Sequence, residues 1–437
     1  SIRDNLNMTT TVYNNDHARS WYKLDKLGGV GPEKIIADIN KGTTASSDLV
    51  LQAILLGGDS ALGDVAIKDN NRNYYSRGLS VKFDWSLDGN STTHDIEVGL
   101  RYHQDEEDRL QRSDKYTQID QTLILDSIGV TGGNKNNRVV QAEALAIYIK
   151  DDITFGNFIV TPGVRFEDIE LERRDWSTLP RNATPSLKQN SVTAVLPSIG
   201  VLYNVNDKLS LLTGAYNGFG TPTTTSGVEE EQALNVELGG RYQQADLMIE
   251  LIAFTSDYEN LVGECTASSS TSDCDIGDQF NGGEATVRGL EFQLTNNYQL
   301  TDNTAMPVSI AYTYTDAAFD STFDGEFFGD VSKGDPIPYI PKAQVALALG
   351  LENGPYRVNA NLNYVDAVCV KASCVDFEKT DDSTVLDLVG NYQVNDSLGV
   401  YLRLENITDE VDIIARQPKG ARPNKARSVT IGMRLTL

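Results

Sequence analysis

The sequence predicts an all-β fold, an antiparallel transmembrane β-barrel, and two patterns support this. The first is strict alternation of apolar and polar residues, as in the last strand, where Val429, Ile431 and Met433 share one face. Such period-2 alternation is typical of a strand with one apolar and one polar face. The second pattern distinguishes a membrane barrel from a soluble sandwich: connections alternate between short turns and long polar loops, as in outer-membrane barrels.

Sixteen alternating segments can be marked along the 437 residues. Because the last strand must end on the short-turn side, counting back places the start of the first strand there as well. An even strand number is what a closed barrel of this type has. The segments are residues 5–22, 74–87, 94–104, 143–154, 158–171, 194–204, 209–217, 233–244, 247–260, 286–299, 306–316, 342–352, 356–366, 384–393, 398–407 and 427–437.

The connections give the barrel its orientation. Asn, Asp and Gly dominate the short ones, as hairpin turns require, and we expect these turns on the periplasmic side. We expect the long loops outside the cell. The turns are 88–92, 155–157, 204–207, 244–246, 300–303, 352–355 and 394–397; the loops are 23–73, 105–142, 172–193, 218–232, 261–285, 317–341, 367–383 and 408–426.

Composition narrows the function classes. A 40% hydrophobic content excludes a disordered chain, and the absence of a linker favours one barrel domain over residues 1–437. No apolar run approaches the roughly 20 residues of a membrane-spanning helix. The net charge of −25 argues against nucleic acid as a partner. Ser1 to Asp4 lead straight into a strand-like segment, so we expect a processed N-terminus or a fragment.

Local features add further expectations. The four cysteines form two close pairs, Cys265–Cys274 and Cys369–Cys374, which favour loop disulfides in an oxidising compartment over zinc sites.

Residues 32–56 have helical apolar spacing and predict a short extracellular helix. Residues 318–335 are rich in Asp but lack the spacing of an EF-hand, so a calcium site there is not favoured. Tyr and Trp residues near strand ends suggest interfacial girdles, although aromatic residues are also ordinary strand formers.

The closing segments resemble those of TonB-dependent outer-membrane receptors. The match rests on Asn406, Thr408 and Asp409 at a strand end, and on the loop motif Gly-Ala-Arg-Pro at 420–423. Residues 281–294 and 334–366 are similar to other parts of the family's barrel. In particular, residues 7–25 and 94–116 look like the ferric dicitrate receptor branch.

The resemblance covers essentially the whole chain, with two departures. The family's barrels have roughly 22 strands around a plug. With about 16 strands and no plug segment, residues 1–437 are expected to be the C-terminal part of such a barrel. The chain also ends on Leu437, where the family usually has an aromatic residue. We therefore expect either a narrowed 16-stranded ring, closed between residues 427–437 and 5–22, or a gap at that seam.

The resemblance implies TonB-dependent uptake of a ferric chelate at the bacterial outer membrane. Ferric citrate or a similar carboxylate siderophore is the expected ligand. The implied partners are the TonB complex, reached through the missing plug, and outer-membrane lipid and lipopolysaccharide. No covalent chemistry, resident metal or cofactor is implied, because the ferric chelate is the cargo.

Side chains in the long loops are the candidate ligand contacts, because an arginine fork pairs bidentately with a carboxylate. Asn424 could add a neutral hydrogen bond. The alternative for each arginine is an ordinary surface ion pair with a neighbouring acid. The candidates are Arg109, Arg112, Arg173, Arg174, Arg181, Arg416, Gln417 and Arg422.

Two other functions remain open at this point. A complete diffusion porin of 16 strands would have a similar length and need no plug. An outer-membrane phospholipase or protease would need a nucleophile and a base on the barrel wall, and His17, His94 and His103 have no convincing serine partner. We therefore expect no enzymatic activity.

Overall fold

Each long strand pairs with its neighbour in the chain, and together these pairs form one antiparallel wall. The protein is described here by a computed structural model, which covers residues 3, 5–40, 42, 45–128, 133–177, 181–225, 227–264, 279–325, 328–416 and 420–436. Every one of the sixteen predicted segments overlaps one long strand, which confirms the predicted all-β antiparallel barrel fold.

The wall strands are labelled β1 to β16 in chain order. They are Leu6–Arg19, Arg72–Asp88, Thr93–Ile119, Asn136–Phe155, Phe158–Asp175, Ser186–Asn206, Leu209–Gly220, Glu231–Gln244, Leu247–Glu259, Ala285–Thr301, Thr304–Phe319, Ala343–Asn353, Tyr356–Val365, Ser383–Asn395, Leu398–Glu405 and Ser428–Leu435.

Connections at one end of the wall are short, and we call this the short-turn end. β4 and β5, for example, are separated by only Gly156 and Asn157, and β12 and β13 by Gly354 and Pro355. Gly156 and Gly354 have φ values of 54° and 51°, a region that glycine enters without the steric cost of a Cβ. The opposite, long-loop end carries all the long connections, so the predicted alternation is confirmed.

The two faces of the wall have opposite chemistry. On β2 the outer side chains Phe83 and Trp85 are 38% and 44% exposed, whereas Lys82 and Asp84 point to the inner face and form an ion pair of 3.0 Å. An exposed apolar face with a polar inner face is the arrangement expected of a barrel that faces lipid.

Aromatic rings gather on the outer face near the short-turn end. Phe158 stacks on Phe155 and on Tyr203, with ring centroids 5.6 and 4.5 Å apart. Farther along the wall, Tyr356 on β13 and Tyr392 on β14 also stack on the outer face, with ring centroids 4.8 Å apart. This position fits the aromatic girdle that the sequence suggests.

The wall has an open seam. β1 pairs only with β2, and β16 only with β15; among the described residues no ladder joins β16 to β1. The outer side chains at both edges are correspondingly exposed: Val12 is 77%, Ile431 79% and Met433 76% accessible. Of the two predicted outcomes, the gap is the one observed.

Several strands are longer than the sequence predicts. β3 continues to Ile119, well past residue 104, and β4 already begins at Asn136. The predicted loop 105–142 is therefore largely strand, and residues 172–175 of the predicted loop 172–193 belong to β5. Charged residues occupy both faces of these extensions, so apolar alternation could not reveal them.

Two helices, Pro32–Asn40 and Ser46–Leu55, replace the single helix predicted at 32–56. Ile35, Leu51 and Ile54 from these helices pack with Leu27 and Val65 in a buried cluster at the long-loop end. Neither helix is long and apolar enough to cross a membrane. Short strands extend the wall beside this cluster: Tyr22–Leu27, Val65–Asp69 and Thr122–Ser127.

A second buried cluster joins other long-loop connections. Phe319 and Phe328 pack edge-to-face at 5.1 Å, together with Val331 and Ala372. Ala372 lies inside the loop closed by the disulfide between Cys369 and Cys374. The predicted Cys265–Cys274 pair lies outside the described residues. The remaining elements are Val262–Glu264, Gln279–Asn281, Phe323–Gly325, Gly329–Val331, Asp376–Glu378, Ile413–Ala415 and Arg422–Pro423.

Candidate functional site

Four arginines lie side by side across the first four wall strands. Arg19 on β1 is opposite Arg72 on β2, Arg72 is opposite Arg109 on β3, and Arg109 is opposite Arg138 on β4. Asp175 on β5 continues the line, opposite Arg138. We call Arg19, Arg72, Arg109 and Arg138 the arginine row.

The arginine row lies on the inner face at the long-loop end. Arg72 is an even-numbered residue of β2 and so shares the face of Lys82, while Phe83 and Trp85 point outward. Cross-strand partners point to the same face, so the whole row is turned inward. Arg109 lies 16 residues beyond the start of β3, farther than the roughly 10 residues a strand needs to cross a bilayer.

Two carboxylates bind parts of this group. The Nη1 group of Arg72 donates to Oε2 of Glu107 at 3.0 Å, and the Nε group of Arg109 donates to Oε1 of the same carboxylate. On β5, Arg173 is the inward residue that precedes Asp175, and it donates to Asp175 at 3.0 Å. A single glutamate thus bridges two members of the row.

Arg138 is the most buried member of the row. The residue is only 4% exposed, and its Nε, like those of Arg72 and Arg173, has no hydrogen-bond partner. No ion pair to Arg138 occurs within the described part of the chain. Burial, followed by the positive charges of Arg109 and Arg173, lowers the pKa of Arg138 from its ordinary value to about 10. A buried cation without a bound partner is costly, so this position needs an anion.

The pKa values of Arg109 and Glu107 are also shifted, as expected for charged groups that are buried close together. Burial lowers the pKa of Arg109, and the Glu107 carboxylate only partly opposes this. For Glu107, burial acts to raise the pKa, but the hydrogen bond and charge of Arg109, followed by the charge of Arg72, outweigh it. The pKa of Glu107 therefore lies below its ordinary value, and the group is ionised at neutral pH.

This geometry suits a compact anion with several oxygen atoms. Five inward guanidinium groups, the row and Arg173, face two carboxylates, Glu107 and Asp175. Guanidinium groups bind carboxylate and phosphate oxygens through paired hydrogen bonds, and these bonds strengthen where water is partly excluded. The local excess of positive charge contrasts with the strongly acidic chain as a whole.

The predicted arginines separate into two groups. Arg109 and Arg173 join the inward group. Arg112 and Arg174 point to the opposite face, where Arg112 contacts Asp114 at 3.2 Å and Arg174 contacts Glu172 at 3.2 Å. Arg181 lies in the β5–β6 connection and binds outward side chains. The Arg174–Glu172 pair matches the alternative of an ordinary surface ion pair, whereas Asp114 is only 4% exposed and makes the pair with Arg112 a partly buried one.

Arg181 makes the most extensive contacts of the outward group. Its two Nη groups donate to Asp108 at 2.9 and 2.6 Å, and its Nε donates to Asn137 at 2.6 Å. The guanidinium also stacks over Trp176, 4.9 Å from the ring centroid. Arg181 thus ties the β5–β6 connection to β3 and β4.

The candidates near the chain end lie in the last connection, between β15 and β16. Arg416 donates through its backbone N–H to the hydroxyl of Tyr339 at 3.3 Å, and through Nε to the carbonyl of Lys379. Arg422 belongs to a short strand that pairs with Ile413–Ala415. Gln417 lies outside the described residues. Asn424 receives a hydrogen bond from the N–H of Asp412 at 3.2 Å.

Sequence reasoning missed Arg19, Arg72, Arg138 and Glu107. Arg72 could have been found, because the tight turn between β2 and β3 fixes the register that places it opposite Arg109. Arg138 had no such signal, since a long connection separates β3 from β4. For the Asp-rich segment 318–335, no group of three metal-ligating side chains occurs among the residues that the structure describes.

Comparison with known proteins gives a consistent result. A family model described as TonB dependent receptor-like, beta-barrel, matches residues 3–407. The ferric citrate transporter FecA, in its unliganded form, is 22% identical with a TM-score of 0.68, covering 86% of this chain and 56% of that one.

Two other solved receptors are similar in fold. The siderophore receptor PiuA from Acinetobacter baumannii is 17% identical with a TM-score of 0.73. The ferric-catecholate import receptor Fiu from E. coli K12, in its closed form, is 16% identical with a TM-score of 0.72. Each match covers 99% of this chain but 62% of the other protein, so the chain spans less than two thirds of these structures.

Proposed function

The chain belongs to the family of TonB-dependent receptor-like β-barrels, and from this premise we propose that it binds and takes up an anionic ferric chelate at the bacterial outer membrane. Ferric citrate or a similar carboxylate-rich siderophore is the proposed ligand. The long-loop end then faces the outside of the cell, and the arginine row lies where a ligand entering from outside first meets the inner wall.

The observation that carries this proposal is the buried, unpartnered guanidinium of Arg138 within an inward line of like charges. Like charges directly opposite each other on neighbouring strands are destabilising. A bound polyanion removes that repulsion and supplies the missing partner. This favours a ligand with several carboxylates over a neutral one.

Ferric citrate is a more specific proposal than the family alone supports. Arginine forks match the planar carboxylate group, and citrate carries three such groups. The fold similarity to the ferric citrate transporter FecA adds support at the level of the fold, as does the similarity to catecholate and other siderophore receptors. The chemistry of the arginine row favours carboxylate chelates within that group.

The proposed partners follow from the same family. Uptake would need the TonB complex, acting through a plug domain, and the outer face would contact lipid and lipopolysaccharide. The proposed role is transport without catalysis. The porin alternative has no comparable support, because the matching family model is that of a receptor barrel.

Two measurements test the proposal. An iron-starved strain lacking its own receptors should grow on ferric citrate when it carries the intact protein, but not on neutral hydroxamate chelates. In titration calorimetry, Arg138→Gln should weaken ferric citrate binding at least tenfold. Arg288→Gln is the matched control, since Arg288 is an outward arginine paired with Asp316 at 2.9 Å. Growth on hydroxamates alone would overturn the proposal.

A further inference from the structure

Glu107 occupies the place that a ligand carboxylate would take. Its two oxygens each accept a hydrogen bond from a different member of the arginine row, Oε2 from Arg72 at 3.0 Å and Oε1 from Arg109. The Glu107 side chain is 18% exposed, so water replaces these bonds only in part. One carboxylate bridging two guanidinium groups is how a carboxylate ligand would also be held.

The other buried arginines of the group differ from each other. Arg173 on β5 is bound by Asp175 at 3.0 Å, whereas the buried Nε of Arg138 has no hydrogen-bond partner. The group therefore has an occupied half, at Arg72 and Arg109, and a half with excess positive charge, at Arg138. An incoming anion meets an internal competitor in the first half and an uncompensated cation in the second.

We propose that Glu107 is a resident counter-ion that competes with the ligand and makes the arginine row selective for polyanions. This inference rests on the proposed function, because it concerns the same site. A monocarboxylate that enters the first half only exchanges one carboxylate for another and gains little. A ligand with three carboxylates can engage Arg138 and at the same time replace Glu107.

The same arrangement assists release. When Glu107 returns to Arg72 and Arg109, the guanidinium groups do not pass through a state without a partner, so the barrier to ligand departure falls. A transporter must release its ligand as well as bind it. Glu107 thus lowers the affinity for the ligand, while it increases the preference for polyanions and speeds ligand release.

Glu107→Gln in the intact protein tests this inference. The variant keeps the shape and hydrogen-bonding capacity of the side chain but removes the competing charge. We expect citrate and ferric citrate to bind about tenfold more tightly, equivalent to one charge-assisted hydrogen bond. Acetate should gain at least as much, so the citrate-to-acetate selectivity falls. Glu106→Gln, the adjacent residue on the outer face, should change neither affinity.

The outcomes separate this inference from the proposed function. Equal or weaker citrate binding by Glu107→Gln would overturn the role of Glu107, even if ferric citrate binds the wild type. If no ferric citrate binds but free citrate binds more tightly to Glu107→Gln, the role of Glu107 stands and the proposed cargo is wrong. Should Glu107→Gln fail to fold, Glu107→Asp gives the second test. Its shorter carboxylate reaches one guanidinium instead of two, so citrate must again bind more tightly than to the wild type.

Discussion

Arg109 and Arg138 lie directly opposite each other on neighbouring antiparallel strands, with both side chains on the inner face of the wall. Glu107 binds Arg109, whereas no described side chain forms a hydrogen bond to the buried Nε of Arg138. A fold selected only for stability would not place two cations in this position. Under the proposed function, this loss of stability serves ligand binding, and such a relation is common at functional sites.

The first prediction concerns the stability of the ligand-free protein. The pKa of Arg138 is lowered to about 10, so the charged form is disfavoured in the folded state. Because the unfolded chain keeps this proton from about pH 10 up to the ordinary pKa of arginine, stability rises with pH in that window, and the whole cost is present at pH 7. Arg138→Met should raise the free energy of unfolding at pH 7 by up to roughly 3 kcal/mol.

Chemical unfolding in detergent or lipid vesicles measures this effect. The same variant should lose affinity for citrate, so stability and binding move in opposite directions. Arg288→Met, which removes an exposed outward ion pair, should leave both nearly unchanged. A destabilised Arg138→Met would mean that Arg138 has a stabilising partner in the free protein.

The second prediction separates two adjacent arginines. Arg173 is on the inner face and donates to Asp175, while Arg174 is on the outer face and contacts Glu172. Arg173→Ala should weaken ferric citrate binding several-fold by titration calorimetry, and Arg174→Ala should not. The double variant should resemble Arg173→Ala alone. Equal losses of ferric citrate affinity in the two single variants would contradict the conclusion that only inner-face arginines contact the ligand.

The limits of sequence reasoning follow from the same residues. Apolar alternation located all sixteen wall strands, because their membrane-facing halves carry a clear apolar face. It failed beyond residue 104 of β3, where charged residues occupy both faces and where the site lies. The row itself depends on the register between β3 and β4, which is set by pairing in three dimensions and not by a short turn. Arg72 and Arg138, which lie in the predicted loops 23–73 and 105–142, were therefore not among the predicted ligand contacts.

The third prediction concerns the last connection. Asn406 is 2% exposed and has a φ of 49°; its Nδ2 donates to the carbonyls of Glu410 at 2.8 Å and Lys425 at 2.9 Å. Asn406→Ala removes these bonds, leaves buried carbonyls unpaired and puts at positive φ a residue that adopts this region less readily than asparagine. We expect a loss of about 2–4 kcal/mol in local stability.

Hydrogen exchange of the Glu410 amide, which donates to Oδ1 of Asn406 at 3.1 Å, reports this loss directly. Asn406→Gly is the matched control, because glycine adopts the same φ without strain but makes no side-chain bond. Its loss should be about 1 kcal/mol smaller than that of alanine. Identical exchange in the wild type and Asn406→Ala would show that the side chain does not hold this connection.

The last prediction decides between two roles for Arg181, a ligand contact or a structural tie. Its bidentate bond to Asp108 and its stacking on Trp176 favour the tie, because these groups lie on the face opposite the arginine row. A double-mutant cycle of Arg181→Gln and Asp108→Asn should give a coupling of about 1–2 kcal/mol in the free energy of unfolding. Ferric citrate affinity should change less than twofold in Arg181→Gln. If that affinity instead falls tenfold while the coupling is absent, Arg181 contacts the ligand and the β5–β6 connection must move inward when the ligand binds.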